Sequence, residues 1–314
     1  MEVEEGLLPV TGSFSLLDWI LLAIIVPLAT ALRVVQRHYS RLRLVRRELG
    51  GGKPWVLRRV PASELSEQFR PDPKLGYVPQ LTEVTLVCLG PQHVIGVTSD
   101  YEAWILAVLA KKAHVMFEFG TCTGRTAYLW ARNSPPDARV HTLTLDPDQT
   151  HLYKSDAGDK SQDEADALQE TLDKRYLYTG TNVEYKINQI YGDSKEFDDS
   201  PYVGQCDLIF IDGSHAQSYV ESDSNKALRM LKPGGIIIWH DYRGPHRSTG
   251  VFHALNSLGS RLNLMHIEGT SFVAYAMGGA KPFSNCALAR FSPPAAGAAQ
   301  PHVTPDLIAS WTRD

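Results

Sequence analysis

The stretch VMFEFGTCTGRT, residues 115–126, decides the fold. Val115, Met116, Phe117 and Phe119 make an apolar run of strand length. Residues 120–124 then form a glycine-bounded turn, tight enough to bring backbone against a ligand before a helix opens near Arg125. Strand, glycine turn and helix in this order make a nucleotide-type binding unit. Glu118 bears on which ligand it takes. A loop that holds pyrophosphate turns its amides toward phosphate, whereas a carboxylate at the mouth repels phosphate and suits a cation. Taken alone the unit is also an ordinary strand-to-helix turn, so the surrounding chain must decide.

Upstream, Ser99 and Glu102 have capping-box spacing before a helix that carries Trp104, Ile105, Val108 and Leu109 on one face. Downstream, RVHTLTL (139–145) reads as a second strand ending at Asp146-Pro147. An acid there can grip a ribose diol, and Asp before Pro is equally common turn chemistry. A long polar stretch reaching residue 182 holds one expected helix, 163–174, and its length makes it a candidate lid as well as a solvated insertion. VEYKINQI (183–190) alternates as a third strand and stops at Gly192-Asp193-Ser194. The unbroken apolar run CDLIFI (206–211) is expected at the centre of a covered sheet, delivering Asp212-Gly213-Ser214-His215 to its carboxyl edge. A helix with Val220, Ala227, Leu228 and Leu231 on one face closes at Lys232-Pro233-Gly234-Gly235, and residues 236–239 form a fifth strand ending at His240-Asp241-Tyr242. A helix at 250–258 precedes 262–267 and 271–277, which read as an antiparallel hairpin. Five strands alternating with helices, with the two of the hairpin, give a doubly wound, Rossmann-like α/β sheet of seven strands. In such sheets ligands bind outside the carboxyl ends of the strands, where every acid named so far sits.

From residue 96 to 277 the chain resembles a class I S-adenosylmethionine (SAM) dependent methyltransferase. The resemblance is carried by E-F-G-T-C-T-G-R-T, Asp146, G-D-S at 192–194, F-I-D-G-S-H at 210–215, L-K-P-G-G at 231–235 and W-H-D-Y at 239–242. The last three in this order are similar to the branch of macrocin-type antibiotic-sugar O-methyltransferases. SAM is a cation with a ribose and no phosphate, which agrees with an acid beside a glycine loop. The resemblance implies that Glu118, Gly120, Thr121, Gly124 and Thr126 form the first cofactor motif, with Cys122 in place of a common glycine. It implies Asp146 for the ribose, Asp193 and Ser194 for the adenine edge, and Asp212 at the cofactor as well. In the macrocin-like branch the acid ending strand four and an acid pair after strand five hold a divalent ion, Mg2+ or Mn2+. Here Asp212 and Asp241 match, and His240 stands where the first acid of the pair would be. Two carboxylates and an imidazole suit a transition metal better than Mg2+, which prefers oxygen. His215 and His240, with Asp212, are the catalytic candidates, because a hydroxyl acceptor needs a base and imidazole titrates near neutrality. Each also has a plainer reading, His215 at a helix start and His240 as a packed strand end. Arg243, His246 and Arg247, in the loop after strand five, either reach an acidic substrate or face water.

The remaining chain supplies context. With 314 residues, 43% hydrophobic and 21% charged, there is one sizeable domain plus appendages. A net charge of -4 spread along the chain argues against a nucleic-acid surface. Four cysteines, Cys88, Cys122, Cys206 and Cys286, lack metal-type spacing and fit a reducing compartment. FSLLDWILLAIIVPLATAL (14–32) is about one bilayer span long with a single charge, Asp18, and is followed by Arg33, Arg37, Arg41, Arg43, Arg46 and Arg47. The expected organisation is a short external end (1–13), a transmembrane helix (14–35), a basic juxtamembrane segment and linker (36–79), the methyltransferase domain (80–278) and a disordered Ala- and Pro-rich tail (279–314). The arginines place the catalytic domain in the cytoplasm of a single-pass, membrane-anchored protein. Such a chain is expected to resist carbonate extraction from membranes; release into the supernatant would contradict it. The function this implies is methylation of a small-molecule, sugar-bearing or lipid-linked acceptor, with no nucleic-acid partner. Two other classes stay open: a dinucleotide-dependent oxidoreductase, and a non-catalytic membrane-associated binding module.

Overall fold

The structure, a computed structural model, describes residues 15–16, 21, 24–36, 57–87, 98–171, 175–245 and 247–278. Its strands are β1 (Arg58–Val60), β2 (Val115–Phe119), β3 (Arg139–Thr144), β4 (Ile187–Tyr191), β5 (Cys206–Ile211), β6 (Leu231–Trp239), β7 (Met265–Ile267) and β8 (Val273–Ala276). The main helices are α1 (Asp100–Ala110), α2 (Arg125–Asn133), α3 (Ser161–Glu170), α4 (Gln217–Met230) and α5 (Thr249–Gly259). The strands form one sheet in the order β1-β7-β8-β6-β5-β2-β3-β4. Only the pairings made by β8, with β6 and with β7, are antiparallel.

The period-two pattern of the central strands divides two cores. Met116, Leu208, Phe210, Ile236 and Ile238 pack with Ile105, Leu109 and Trp130 on one face. Phe117, Phe119, Ile209, Ile211, Ile237 and Trp239 pack with Val220, Ala227, Val251 and Leu255 on the other. Helices α1 and α2 therefore cover one face, and α4 and α5 the other. All six residues of β5 are buried, as its unbroken apolar run requires. Strands β2, β3 and β4 run outward in one direction from the centre, and β5 and β6 in the other. The order reverses between β2 and β5, and that point opens a crevice for a ligand.

Several expectations change. The sheet has eight strands and not seven, because residues expected to be linker contribute β1, which pairs in parallel with β7 at the edge. Val60, Leu65 and Phe69 of the same segment are buried. Three residues are too few to show a period; the pairing comes from β7. The third strand begins at Ile187, since residues Glu184–Lys186 form a 3-10 turn. Lys232-Pro233-Gly234-Gly235 opens β6 and does not close α4. The register with β5 shifts between Cys206 and Leu208, and Gly234 takes φ 82° at that irregularity. The helix of the polar stretch is Ser161–Glu170; residues 172–174 lie outside the described residues.

No helix among the described residues is long and apolar enough to cross a membrane. Residues 24–36 are helical with exposed side chains, and most of the rest of the expected span, like the tail from 279, lies outside the described residues.

Candidate active site

The glycine turn after β2 is fixed by backbone. Gly120 has φ 98°, its N–H donates to Leu143 O at 2.8 Å, and a Cβ built on it would lie 2.1 Å from the Asp212 carbonyl oxygen. The ends of β2 and β5 thus touch, and only glycine fits between them. Gly124 caps α2 in the left-handed region, packed on Tyr176 and Tyr178.

Glu118 is not at the mouth of the loop. It is 2% exposed beneath it, because alternation along β2 turns it toward the face covered by α2, beside Thr142 and Phe210 on the neighbouring strands. Thr142 Oγ1 donates to Glu118 Oε2 at 2.6 Å, and Thr126 bonds it from α2. Thr121 Oγ1 lies 2.8 Å from Thr142 Oγ1 and accepts from Gln189 Nε2 at 3.1 Å. Glu118, Thr121 and Thr126 therefore support the loop from below. Burial pushes the Glu118 carboxyl up to about 8, with the charge of Asp212 adding to it against the threonine bonds. This acid is protonated in the folded chain while its unfolded counterpart ionises near 4.5. Its contribution to stability is whole below that pH and lost as pH rises toward 8, by about 1.4 kcal/mol per pH unit. Glu118→Gln should flatten this loss. Urea midpoints of parent and variant should draw together, or cross, from pH 5 to pH 8; a constant difference would show that Glu118 ionises normally.

A cleft of about 550 Å³ opens at the reversal point. Phe119, Gly120 and Cys122 form one wall, residues 143–145 and 192–194 another, and Tyr219 and Asp223 of α4 a third. The polar stretch after β3 closes it with Tyr153, Ala167, Glu170 and Thr171. Asp159 anchors that stretch by accepting from Ser218 N at 3.1 Å at the start of α4, and Lys160 Nζ reaches Thr249 Oγ1 at 2.6 Å. Among the described lining residues the ionisable acids are Asp193, Asp223 and Glu170, and there is no lysine, arginine or histidine. Burial raises the carboxyls of Glu170 and Asp223 to about 7 each.

The sequence-predicted cofactor residues divide accordingly. Gly120, Asp193 and Ser194 line the cleft. Asp146 does not; its Oδ1 accepts from Asp148 N at 2.9 Å in the turn after β3. Asp212 belongs to a second hollow of about 220 Å³, which shares Gly213 and Ser214 with the first and is lined also by His215 and His240.

Around this hollow two imidazoles meet three carboxylates. His215 Nε2 lies 2.6 Å from Asp241 Oδ2, and Arg243 Nη2 2.7 Å from Asp241 Oδ1. His240 Nδ1 lies 2.7 Å from Asp212 Oδ1 and 3.5 Å from Asp241 Oδ2. His240 Nε2 faces Glu102 Oε2 at 3.7 Å, too far for a hydrogen bond, and is a buried nitrogen without a partner. Asp241 takes φ 58°, a strained value for a non-glycine residue, which turns its carboxylate back toward His215. Burial would depress both imidazoles, but the adjoining carboxylates outweigh it. Asp241 brings His215 up to about 9, and Asp212 raises His240 well above its ordinary value. Burial likewise pushes Asp212 up. Asp241 is held far below the carboxylate range against burial, by His215 first and then by His240 and Arg243.

The metal expectation can be tested on this geometry. Asp212, His240 and Asp241 each offer a ligand atom, all within 4.8 Å of one another. A ligating imidazole usually gives its second N–H to an outer acceptor, and Glu102 stands beside the orphaned Nε2. The residues fit an ion that accepts nitrogen and oxygen together, as Mn2+, Fe2+ or Zn2+ do. Glu102 itself was legible only as a cap. It does close the capping box with Ser99, and its Oε1 also accepts from Ser271 N at 2.7 Å, which ties α1 to the hairpin and to His240.

Arg243 is therefore committed to Asp241, and His246 lies outside the described residues. Residues that the sequence reading missed are Tyr153, Glu170, Tyr219 and Asp223. Asp223 carried a signal: it falls on the apolar stripe of α4, three after Val220 and four before Ala227, where an acid needs a reason.

Solved structures resemble the chain at a distance. The O-methyltransferase TomG from Streptomyces achromogenes, in complex with SAM, is 17% identical over 58% of this chain and 82% of that one, with a TM-score of 0.42. The methyltransferase PaMTH1 of Podospora anserina, bound to SAH, is 17% identical over 58% and 80%, with a TM-score of 0.41. An O-methyltransferase from Bacillus cereus in complex with SAH is 17% identical over 58% and 82%, with a TM-score of 0.37. Likenesses this remote say nothing of what the chain does. No curated protein matches it. A family model described as a methyltransferase domain matches residues 117–242, the span from the organising strand through the His240–Asp241 pair.

Proposed function

We propose that the chain is a SAM-dependent methyltransferase that methylates an oxygen of a small-molecule, sugar-bearing or lipid-linked acceptor. The observation that carries this reading is the charge of the cleft. Three acids and no cationic side chain line it among the described residues, which favours a sulfonium ligand and opposes a dinucleotide pyrophosphate. The match of residues 117–242 to a methyltransferase domain supports the same choice. A dinucleotide oxidoreductase is disfavoured further by the lack of a Gly-x-Gly-x-x-Gly loop.

When bound, SAM supplies a methyl group activated by its sulfonium, and the chain's task is to align an acceptor oxygen with it. Alignment of this kind is worth roughly 7 to 11 kcal/mol of the barrier. The Gly120–Asp212 contact sets the depth of the cleft floor, and the hollow holding Asp212, His215 and His240 opens beside it through Gly213 and Ser214. As the carbon–oxygen bond forms, the acceptor hydroxyl loses its proton. His215 is the base in its neutral form, which its raised pKa of about 9 makes the minor form at pH 7 and the major one only above that value. Asp241 holds the ring through Nε2, leaving Nδ1 of the deprotonated imidazole to take the proton. Asp212, His240 and Asp241 would hold a divalent ion, which would supply a Lewis acid to polarise the acceptor oxygen.

The test is transfer of labelled methyl from SAM to a panel of phenols, sugars and lipid-linked sugars, with S-adenosylhomocysteine release as the readout. Acceptor-dependent release is expected. SAM binding without release for any acceptor would favour a binding module. EDTA should abolish turnover and Mn2+ restore it; undiminished turnover in excess EDTA would remove the metal from the account.

A further inference from the structure

We infer that Asp223 reads the base of the cofactor, accepting the exocyclic amino group of adenine and so selecting a six-amino purine over a six-oxo one. The inference rests on the SAM reading above. Asp223 lines the cleft one helical turn beyond Tyr219, yet it is only 1% exposed, and its Oδ1 has no hydrogen-bond partner. Ser194 bonds the carboxyl, which leaves Oδ1 as an acceptor in want of a donor. Buried oxygens of this kind are rare in folded proteins, and a ligand is one source of the missing donor. Burial raises the carboxyl to about 7, as expected for an acid with too few donors.

Asp193, the acid that the sequence placed at the adenine edge, is not free for this role. Its Oδ1 accepts from Lys195 N at 2.9 Å and its Oδ2 from Tyr219 OH at 3.1 Å. The remaining question is which donor of SAM reaches Asp223. Helix α4 starts beside His215, where the methyl group must arrive, and Asp223 lies about 9 Å further along it at 1.5 Å per residue. Ribose hydroxyls sit close to the sulfonium and do not extend that far. Between the two points the wall is aromatic: Tyr219 stacks on Tyr153 with centroids 4.5 Å apart, and both line the cleft. A flat purine suits that wall better than an amino-acid tail does. A six-oxo purine would bring an acceptor against Oδ1, whereas adenine brings a donor.

The experiment is calorimetric titration of the whole chain with S-adenosylhomocysteine and with S-inosylhomocysteine, for the parent and for Asp223→Asn. The parent should prefer the adenosyl compound by about ten- to a hundred-fold. The asparagine amide donates as well as accepts, so the variant should lose most of that preference while melting no lower than the parent. If the amide disturbs the fold, Asp223→Ser serves the same end, with the preference again lost. Equal affinity of the parent for the two compounds, or an undiminished preference in a folded variant, would overturn the inference and leave the SAM reading standing. A folded parent that binds neither compound would overturn both.

Discussion

Replacing His215 by alanine is expected to lower turnover by about 10²- to 10⁴-fold, the usual worth of a positioned base, while the affinity for SAM stays within about threefold. The split follows from where His215 stands. It lines the smaller hollow with Asp212 and His240 and is not part of the wall of the larger cleft. Its ring is held by Asp241, itself paired with Arg243, so the loss of the imidazole leaves Asp241 with a cationic partner and the fold with little to repair. His240→Ala should cost turnover too, together with stability, because His240 is buried between Asp212 and Glu102. Its removal strands Asp212, while Glu102 keeps its bonds from Ser99 and Ser271 and loses only a nearby cation. Steady-state rates and calorimetric affinities for the two variants separate these roles. Equal loss of rate and affinity in His215→Ala would make it a binding residue and not the base.

The second large effect is expected at Gly120. A Cβ there would meet the Asp212 carbonyl oxygen at 2.1 Å, its carbon at 2.6 Å and Gly213 Cα at 2.7 Å. All three are backbone atoms, so no side chain can swing aside. The φ of 98° adds the cost of a conformation that L-residues avoid. Overpacking and backbone strain together should destabilise Gly120→Ala by roughly 2–5 kcal/mol, a large share of a single domain's stability. Any folded fraction would have β2 wedged from β5 and a displaced cleft floor. Urea unfolding checks the magnitude; a variant as stable as the parent would mean that the two strand ends can part without cost, and the close approach would lose its structural meaning.

The core of this fold was legible because its signals are local. VMFEF and CDLIFI are short apolar runs bounded by turn residues, and Ser99 with Glu102 spells a cap in four residues. The structure returns strands and capping box at those positions. What escaped was non-local. Strand β1 has three residues and exists through its pairing with β7, some two hundred residues away in sequence. Glu118 was read as a rim charge from its neighbourhood to Gly120. Alternation along the strand was equally visible and turns it beneath the loop, against Thr142. The candidate site shows the same division. Asp212, His215, His240 and Asp241 stood out as polar residues at the ends of apolar strands, and the fold gathers them around one hollow. Glu170 and Asp223 lie inside helices, and their approach to the cleft depends on how α3 and α4 pack.

The central claim is that an acidic cleft at the reversal of the sheet takes a sulfonium cofactor. Isothermal titration of the purified, folded chain with SAM, S-adenosylhomocysteine and NAD puts that claim to the test. Saturable heat with the first two and none with NAD is the predicted result. Heat with NAD alone, or with none of the three, would contradict it.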